Sequence, residues 1–128
     1  MTQHCEVRSQ NISLGVDGII RTRMRPEVFE LELADAQEVI HAVGSLCGGV
    51  RRPALVDLRE LRSMSRDCRK YFAGPETAKV EAAVALLVVS PLARAIGNFF
   101  MGLNRPLVPT RLFTSEVDAL GWLRGFVS

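Results

Sequence analysis

The sequence lacks any hydrophobic run long enough to span a lipid bilayer, which takes about 20 residues. Its longest apolar stretch, residues 82–89, has the length of a β-strand. Residues 1–6 show no basic segment leading into an apolar one, so we expect no signal peptide. These absences predict a protein that acts in the cytoplasm and has no membrane partner.

Histidine and cysteine are scarce, and their spacing fits no metal site. Only His4 and His41 are present, and neither belongs to the set of three or four ligands that zinc normally takes. The three cysteines, Cys5, Cys47 and Cys68, form no C-x-x-C pair, so we expect reduced thiols. The sequence therefore predicts no metal and no cofactor.

The chain also contains no glycine-rich phosphate loop and no G-x-S-x-G nucleophile motif. Asp57 ends an apolar stretch, where α/β enzymes often carry a carboxylate. No second catalytic group converges with it in the sequence, so we expect Asp57 to cap the following turn or to pair with an arginine. An enzyme that combines Asp57 with Arg69 or Tyr71 is the competing hypothesis. We predict that the protein is not an enzyme.

The chain is long enough for one domain with one core. It has 128 residues, of which 48% are hydrophobic and 23% are charged, and these are ordinary values for a globular protein. No repeat, linker or low-complexity segment divides it. We expect residues 1–128 to form a single domain.

Strand and helix patterns alternate along the chain. Alternation in residues 7–16 and 18–25, with Asp17-Gly18 between them, predicts a β-hairpin. Residues 29–33 fit a short strand or an extended lead-in, and Asp35 with Glu38 resembles a capping box. Further strands are predicted at 54–58, 82–89 and 110–113, and helices at 36–47, 66–73, 75–80, 91–103 and from Ser115 onward. Ser65, Ser90 and Ser115 are the expected N-caps of three of these helices. This order predicts an α/β fold with a mixed, mostly parallel sheet.

Charge is balanced overall but not along the chain. The net charge of +2 does not indicate nucleic-acid binding. Residues 51–70 nevertheless carry seven basic and three acidic side chains. If this whole segment were helical, its arginines would form one basic stripe. A solvated helix face is one interpretation, and docking of an acidic partner or a phosphate is the other. The arginines concerned are Arg59, Arg62, Arg66 and Arg69.

Aromatic residues mark two further places. Phe99 and Phe100 lie in the predicted helix 91–103, where a ligand pocket and ordinary core packing are both open. Trp122 lies beside the inward face of the last helix, and a half-exposed tryptophan often marks an interface.

The segment 55–65, LVDLRELRSMS, resembles the signature of the STAS domain, named for sulphate transporters and anti-sigma-factor antagonists. In that family a buried strand ends in an Asp-Leu pair, and a short loop leads into a helix. Other segments, such as 97–100 and 119–123, resemble small stand-alone bacterial STAS-like proteins with no assigned activity. The resemblance implies a STAS-like fold and a regulatory role.

In the antagonists, phosphorylation of a serine at the helix start controls docking. Here Ser65 falls where their aspartate lies, and Arg66 falls where the phosphorylated serine lies, so the chain departs from the pattern. Ser63 and Ser65 are the nearby substitutes. A phosphate on either would be neutralised by the neighbouring arginines.

Two functions follow as hypotheses. The first is a non-enzymatic regulatory module that binds a protein partner and leaves a homodimer open. Its docking residues would be Arg59, Arg62, Ser63, Ser65, Arg66 and Arg69. The alternative is a small-molecule or lipid-binding domain with an apolar pocket between sheet and helices, at Phe99 and Phe100.

Overall fold

A six-stranded sheet organises the chain. The computed structural model describes residues 3–127. In spatial order the strands are β1 (Gln3–Glu6), β2 (Gln10–Leu14), β3 (Ile20–Met24), β5 (Arg52–Asp57), β7 (Glu81–Leu87) and β8 (Thr110–Phe113). The first three are antiparallel, and β3, β5, β7 and β8 run parallel. The predicted α/β class and N-terminal hairpin are confirmed, while β1 is an additional strand.

Two short strands form a separate parallel pair beside the main sheet. They are β4 (Glu30–Leu31) and β6 (Ser63–Met64). Within the range 29–33, residues 30–31 therefore form a strand, and the partner strand β6 lies inside the arginine-rich segment.

The helices form unequal layers on the two faces of the sheet. They are α1 (Leu33–Cys47), α2 (Arg66–Ala73), α3 (Pro75–Ala78), α4 (Pro91–Phe99) and α5 (Glu116–Leu123). Neighbouring parallel strands joined by right-handed crossovers place their connecting helices on one face. Accordingly α1, α2 and α4 pack on one face, and α5 packs on the other. No helix within residues 3–127 is long and apolar enough to cross a membrane.

Strand β7 is buried on both faces, as its continuous apolar sequence predicts. Val84, Leu86 and Val88 face the layer of α1, α2 and α4. Ala85 and Leu87 pack with Ala119 and Leu123 of α5 on the other face, where those two α5 side chains are fully buried.

Helix α1 starts three residues earlier than the sequence pattern suggested. Its N-cap is Glu32, and Asp35 occupies the third helical position rather than the start. The Glu32 and Asp35 side chains each accept a hydrogen bond from the other's backbone, so the capping box is real but shifted. Asp35 is also held by Arg8 from the turn after β1, which anchors that turn to α1.

Helix α4 changes its geometry near its end. Ser90 caps it by accepting from the Ala93 backbone, with Pro91 at the first position. The backbone then widens into a π-helix, Phe100–Asn104, which ends at Arg105 with a φ of 47°. Such π-helical turns often occur at functional sites.

Candidate functional site

A cavity of about 50 Å³ lies in the core between the sheet and the layer of α1, α2 and α4. We call it the core cavity. Its walls are mostly apolar, with Leu86 from β7, Val39 from α1, Phe72 from α2 and Phe100 from the π-helical turn among them. The loop after this turn contributes Val108. The cavity therefore lies where the ligand-binding hypothesis placed a pocket.

Four polar residues line the cavity although they are almost fully buried. They are Gln10, Thr22, Thr77 and Glu81. The Thr22 hydroxyl has no hydrogen-bond partner among residues 3–127. Buried polar groups in proteins are nearly always paired, so unpaired ones beside a cavity call for an explanation.

Glu81 is directed into the cavity by an irregularity in the sheet. The register between β5 and β7 shifts, because Arg52 pairs with Glu81 whereas Pro53 pairs with Ala83. The extra residue breaks the two-residue alternation, so Glu81 lines the cavity on the same face as Val84. The sequence pattern started this strand at Ala82 and gave no sign that Glu81 is buried.

Burial raises the pKa of the Glu81 carboxyl from its ordinary value of 4.5 to about 8. Only 4% of the residue is exposed, and no charged group in the described chain offsets the loss of hydration. Arg51 donates to the backbone oxygen of Glu81 at 3.2 Å, not to the carboxyl. Glu81 is the one titratable residue among the described residues that line the cavity. At neutral pH the carboxyl is thus mostly protonated and can donate a hydrogen bond.

The two phenylalanines predicted to form a pocket point in different directions. Phe100 is 8% exposed and lines the core cavity. Phe99 is 51% exposed and lies on the outer side of α4. Phe100 therefore lines the cavity and Phe99 does not, because adjacent helical residues are about 100° apart; ligand binding at Phe100 stays a prediction.

The arginine-rich segment is not helical throughout, so the condition under which its arginines would form one basic stripe is not met. Strand β6 interrupts it, and helix begins only at Arg66. Arg59 pairs with Asp57 at 2.5 Å. Arg62 lies 4.2 Å from the centre of the Phe29 ring. Pairing of residues 63–64 with β4 therefore separates Arg59 and Arg62 from the helix.

One of the helical arginines, Arg69, reaches α4 instead. The Arg69 guanidinium lies 5.1 Å from the centre of the Phe99 ring and donates to the Met64 carbonyl at 2.7 Å. Arg66 is exposed in the first turn of α2. The contact between Arg69 and Phe99 joins α2 to the outer side of α4.

The outer side of α4 carries an exposed apolar surface. Leu92 and Phe99 are seven residues apart and Leu103 follows four later, a spacing that places them on one side of a helix. Leu103 is 65% exposed, and Leu107 adds to the surface. We call these four residues, together with the candidate docking arginines Arg62, Arg66 and Arg69, of which Arg69 contacts Phe99, the arginine-flanked face.

The arginine-flanked face was not predicted from the sequence, although the sequence carries a signal for it. No acidic residue occurs between Glu81 and Glu116, and the basic residues in that interval are Arg94, Arg105 and Arg111. An amphipathic helix with exposed apolar residues and only positive charge is unusual for a purely structural element.

The two candidate serines have different environments. Ser65 caps α2, and its hydroxyl accepts from the Cys68 backbone at 3.2 Å. Ser63 is exposed on β6. Ser65 therefore has a structural role, which the sequence pattern had predicted.

We expect Ser65→Ala to lower the free energy of unfolding by about 1 kcal/mol, because alanine cannot accept the hydrogen bond of the cap. Ser65→Asp should restore most of the loss, since aspartate is an equally good N-cap. Urea unfolding measures both, with Ser63→Ala as the exposed control. A Ser65→Ala loss no larger than that of Ser63→Ala would contradict the role as a cap.

Asp57 lies on the opposite face of the sheet from the core cavity. It accepts from the Arg59 backbone at 3.1 Å and from the Arg59 guanidinium, so it both caps the turn and pairs with an arginine as expected. It borders an open groove with Arg21 and Arg23. Arg69, by contrast, contacts Phe99 on the other face. The residues of the enzyme hypothesis do not come together.

Trp122 is half-buried between two aromatic rings. Its ring centre lies 5.7 Å from that of Phe113 and 5.0 Å from that of Phe126. Arg111 lies beside the same cluster. Trp122 is partly exposed, as expected. Packing against Phe113 and Phe126 explains why its ring lies at this position.

The cysteines and the potential metal ligands add no further candidate site among the described residues. Cys5, Cys47 and Cys68 are free thiols, and burial raises the pKa of Cys68 to about 12. Within residues 3–127 no three histidine, cysteine or carboxylate side chains come close enough to hold a metal ion.

The strand order, the unequal helix layers on the two faces of the sheet and the strand–loop–helix around Asp57 define the SpoIIAA-like, or STAS-like, class of α/β domains. An uncharacterised protein of the DUF3478 family from Shewanella loihica PV-4, described as having a SpoIIAA-like fold, matches over 96% of this chain and 92% of its own. The TM-score is 0.53 and the sequence identity is 20%, so the likeness shows the fold. The predicted STAS-like fold is confirmed.

The chain belongs to the family of the domain of unknown function DUF7793, which matches residues 12–127. A protein of unknown function from Arthrobacter sp. FB24 is similar to it, with 36% identity over 88% of this chain and 90% of that one, at a TM-score of 0.31. No curated protein matches the chain.

Proposed function

We propose that this domain is a non-enzymatic regulatory module that binds an acidic segment of a protein partner through the arginine-flanked face. The observation that carries the proposal is the exposed apolar row on α4, with Arg69 stacked on Phe99 and no acidic residue from 82 to 115. Exposed apolar patches of this kind usually mark interaction sites. Aromatic residues and arginine are the types enriched where proteins bind one another.

The arginines of this face are partly pre-positioned. The Arg62 and Arg69 guanidinium groups lie against the rings of Phe29 and Phe99. Stacking restricts these long side chains, so less conformational entropy is lost when they bind. A planar guanidinium presents paired donors that match a carboxylate. Acidic side chains on the partner are therefore the complementary chemistry.

The choice of partner also follows from charge. Two copies of this domain joined through the same face about a two-fold axis would bring arginines against arginines, which is unfavourable. An acidic amphipathic segment would instead pair its carboxylates with Arg62, Arg66 and Arg69. Its apolar side chains would cover Leu92, Phe99 and Leu103, which span roughly 16 Å along the helix.

Cross-linking in native cells followed by identification of the bound protein tests the proposal, and the identified partner is then titrated against purified variants. We expect Phe99→Glu, and separately the triple change of Arg62, Arg66 and Arg69 to alanine, to weaken binding at least tenfold. Val117→Glu is the matched control, since Val117 is 77% exposed on α5, on the other side of the sheet. Binding should weaken with salt.

Three results would overturn the proposal. The first is a partner whose binding withstands neutralisation of its own acidic residues. The second is binding of wild type, lost in Phe99→Glu, to vesicles that contain anionic phospholipid. The third is a dimer in light scattering that Phe99→Glu dissociates, which would favour the homodimer that the sequence left open.

We further propose that the protein acts in the cytoplasm without a catalytic role. The three free thiols support a reducing compartment. The satisfied pair of Asp57 and Arg59 supports a structural role for the carboxylate with the most enzyme-like position.

A second candidate function is the binding of a small molecule in the core cavity. It is favoured by Phe100, by the buried carboxyl of Glu81 and by the Thr22 hydroxyl, which has no hydrogen-bond partner among the described residues. This site lies on the inner side of α4 and is separate from the arginine-flanked face.

A further inference from the structure

We propose that the core cavity binds a small uncharged amphiphile whose hydroxyl or carbonyl group is held by the carboxyl of Glu81. The hydrocarbon part would lie against Leu86 and Phe100, which line the cavity. The inference rests on the second candidate function and names the chemical class of its ligand.

The first argument is the placement of Glu81. A carboxyl on a residue that is only 4% exposed, with no charged group among the described residues to offset its burial, carries a large desolvation cost, which a valine or leucine would avoid. The shift of register between β5 and β7 nevertheless directs it into the cavity. The Thr22 hydroxyl, also unpaired among the described residues, lines the same space. A bound polar group would satisfy hydrogen bonds that the protein leaves open.

The volume of the core cavity limits the size of the ligand. A water molecule needs roughly 10–15 Å³ of such space, and a cavity that accepts benzene has about 150 Å³. The core cavity, with about 50 Å³, lies between these values. It suits a molecule with a few heavy atoms, such as an alcohol or ketone of three or four carbons.

The ionisable groups of the cavity wall limit the charge of the ligand. Glu81 is the single ionisable residue in the described cavity wall, and its neutral form predominates at pH 7. An anionic ligand would enter an apolar space without a cation to balance it. A neutral hydroxyl or carbonyl can accept from the protonated carboxyl at no charge cost. These conditions select an uncharged ligand.

The test uses xenon, butan-1-ol, butyrate and butylammonium as probes of the purified protein. Their binding is followed by the methyl NMR signals of Val84 and Leu86. Xenon reports whether the cavity can be occupied at all. We expect xenon and butan-1-ol to bind at pH 6.5, and butyrate not to bind. Glu81→Leu should lower the affinity for butan-1-ol at least tenfold. Glu81→Gln keeps a polar end, so its affinity should stay within threefold of that of the wild type.

Different outcomes distinguish a failure of ligand binding in the cavity from a failure of the role of Glu81. No methyl shift with xenon or butan-1-ol would overturn ligand binding in the cavity altogether. Xenon binding together with butan-1-ol binding that Glu81→Leu leaves unchanged would keep the cavity as a site but overturn the role of Glu81. Tighter binding of butylammonium or butyrate than of butan-1-ol would overturn the uncharged class. Glu60→Gln, at an exposed position, is the control.

Discussion

Replacing Glu81 by glutamine is expected to raise the free energy of unfolding by up to about 5 kcal/mol at pH 9 and to change it little at pH 4. The unfolded chain loses the proton of Glu81 near its ordinary pKa of 4.5, whereas the folded protein retains it up to about pH 8. The folded state therefore binds more protons between these values, and stability falls as pH rises through this range. Glutamine carries no proton to lose.

Urea unfolding at several pH values measures the effect, with Glu60→Gln as the control for an exposed carboxyl. The charged and titratable groups near Glu81 do not change the expected pH dependence. Arg51 binds the Glu81 backbone oxygen, and Arg52 and Cys47 lie nearby without setting the pKa of the carboxyl. A Glu81→Gln stability curve parallel to wild type from pH 5 to 9 would show that the carboxyl is hydrated and that the cavity is open to water.

Local signals predicted much of the fold. Ser65, Ser90 and Ser115 were each expected to cap a helix, and each hydroxyl accepts from the backbone three residues later. Gly48 ends α1 in a left-handed conformation with a φ of 58°, which suits glycine. Caps and stops depend on a few adjacent residues, so they can be predicted from the sequence.

Features that depend on distant residues were missed. Strand β6 exists because residues 63–64 pair with β4, more than 30 residues earlier. That pairing dismantles the basic stripe that helical spacing of the arginines suggested. The burial of Glu81 likewise follows from the register shift against Arg52 and Pro53. No local pattern encodes the register between two separate strands.

Helix α4 shows how a partial prediction becomes informative. The sequence grouped Phe99 and Phe100 as one pocket, but the structure places one on each side of the helix. The inner residue borders the core cavity, and the outer residue lies under Arg69. One helix thus forms part of both candidate sites, each with its own chemistry.

The second large effect is expected at Asp35, where alanine should lower the free energy of unfolding by about 2–4 kcal/mol at pH 7. The buried carboxylate accepts from the Arg8 side chain through both oxygens, each at 2.6 Å, and from the Glu32 backbone at 2.9 Å. Alanine loses all three hydrogen bonds and the acidic group in the first turn of α1. Asparagine should recover part of the loss, because its oxygen can still accept from Glu32.

The loss should depend on pH in the opposite sense to that at Glu81. The hydrogen bonds from Arg8, chiefly, hold the pKa of Asp35 below its ordinary value of 3.8, so its contribution is present above that pH and fades as the carboxylate is protonated below it. Asp67→Ala, in the exposed first turn of α2, is the matched control. A double-mutant cycle with Arg8→Ala should give a coupling of about 1 kcal/mol, limited by the exposure of Arg8. An Asp35→Ala loss equal to that of Asp67→Ala would show that the Arg8 contact does not anchor β1 to α1.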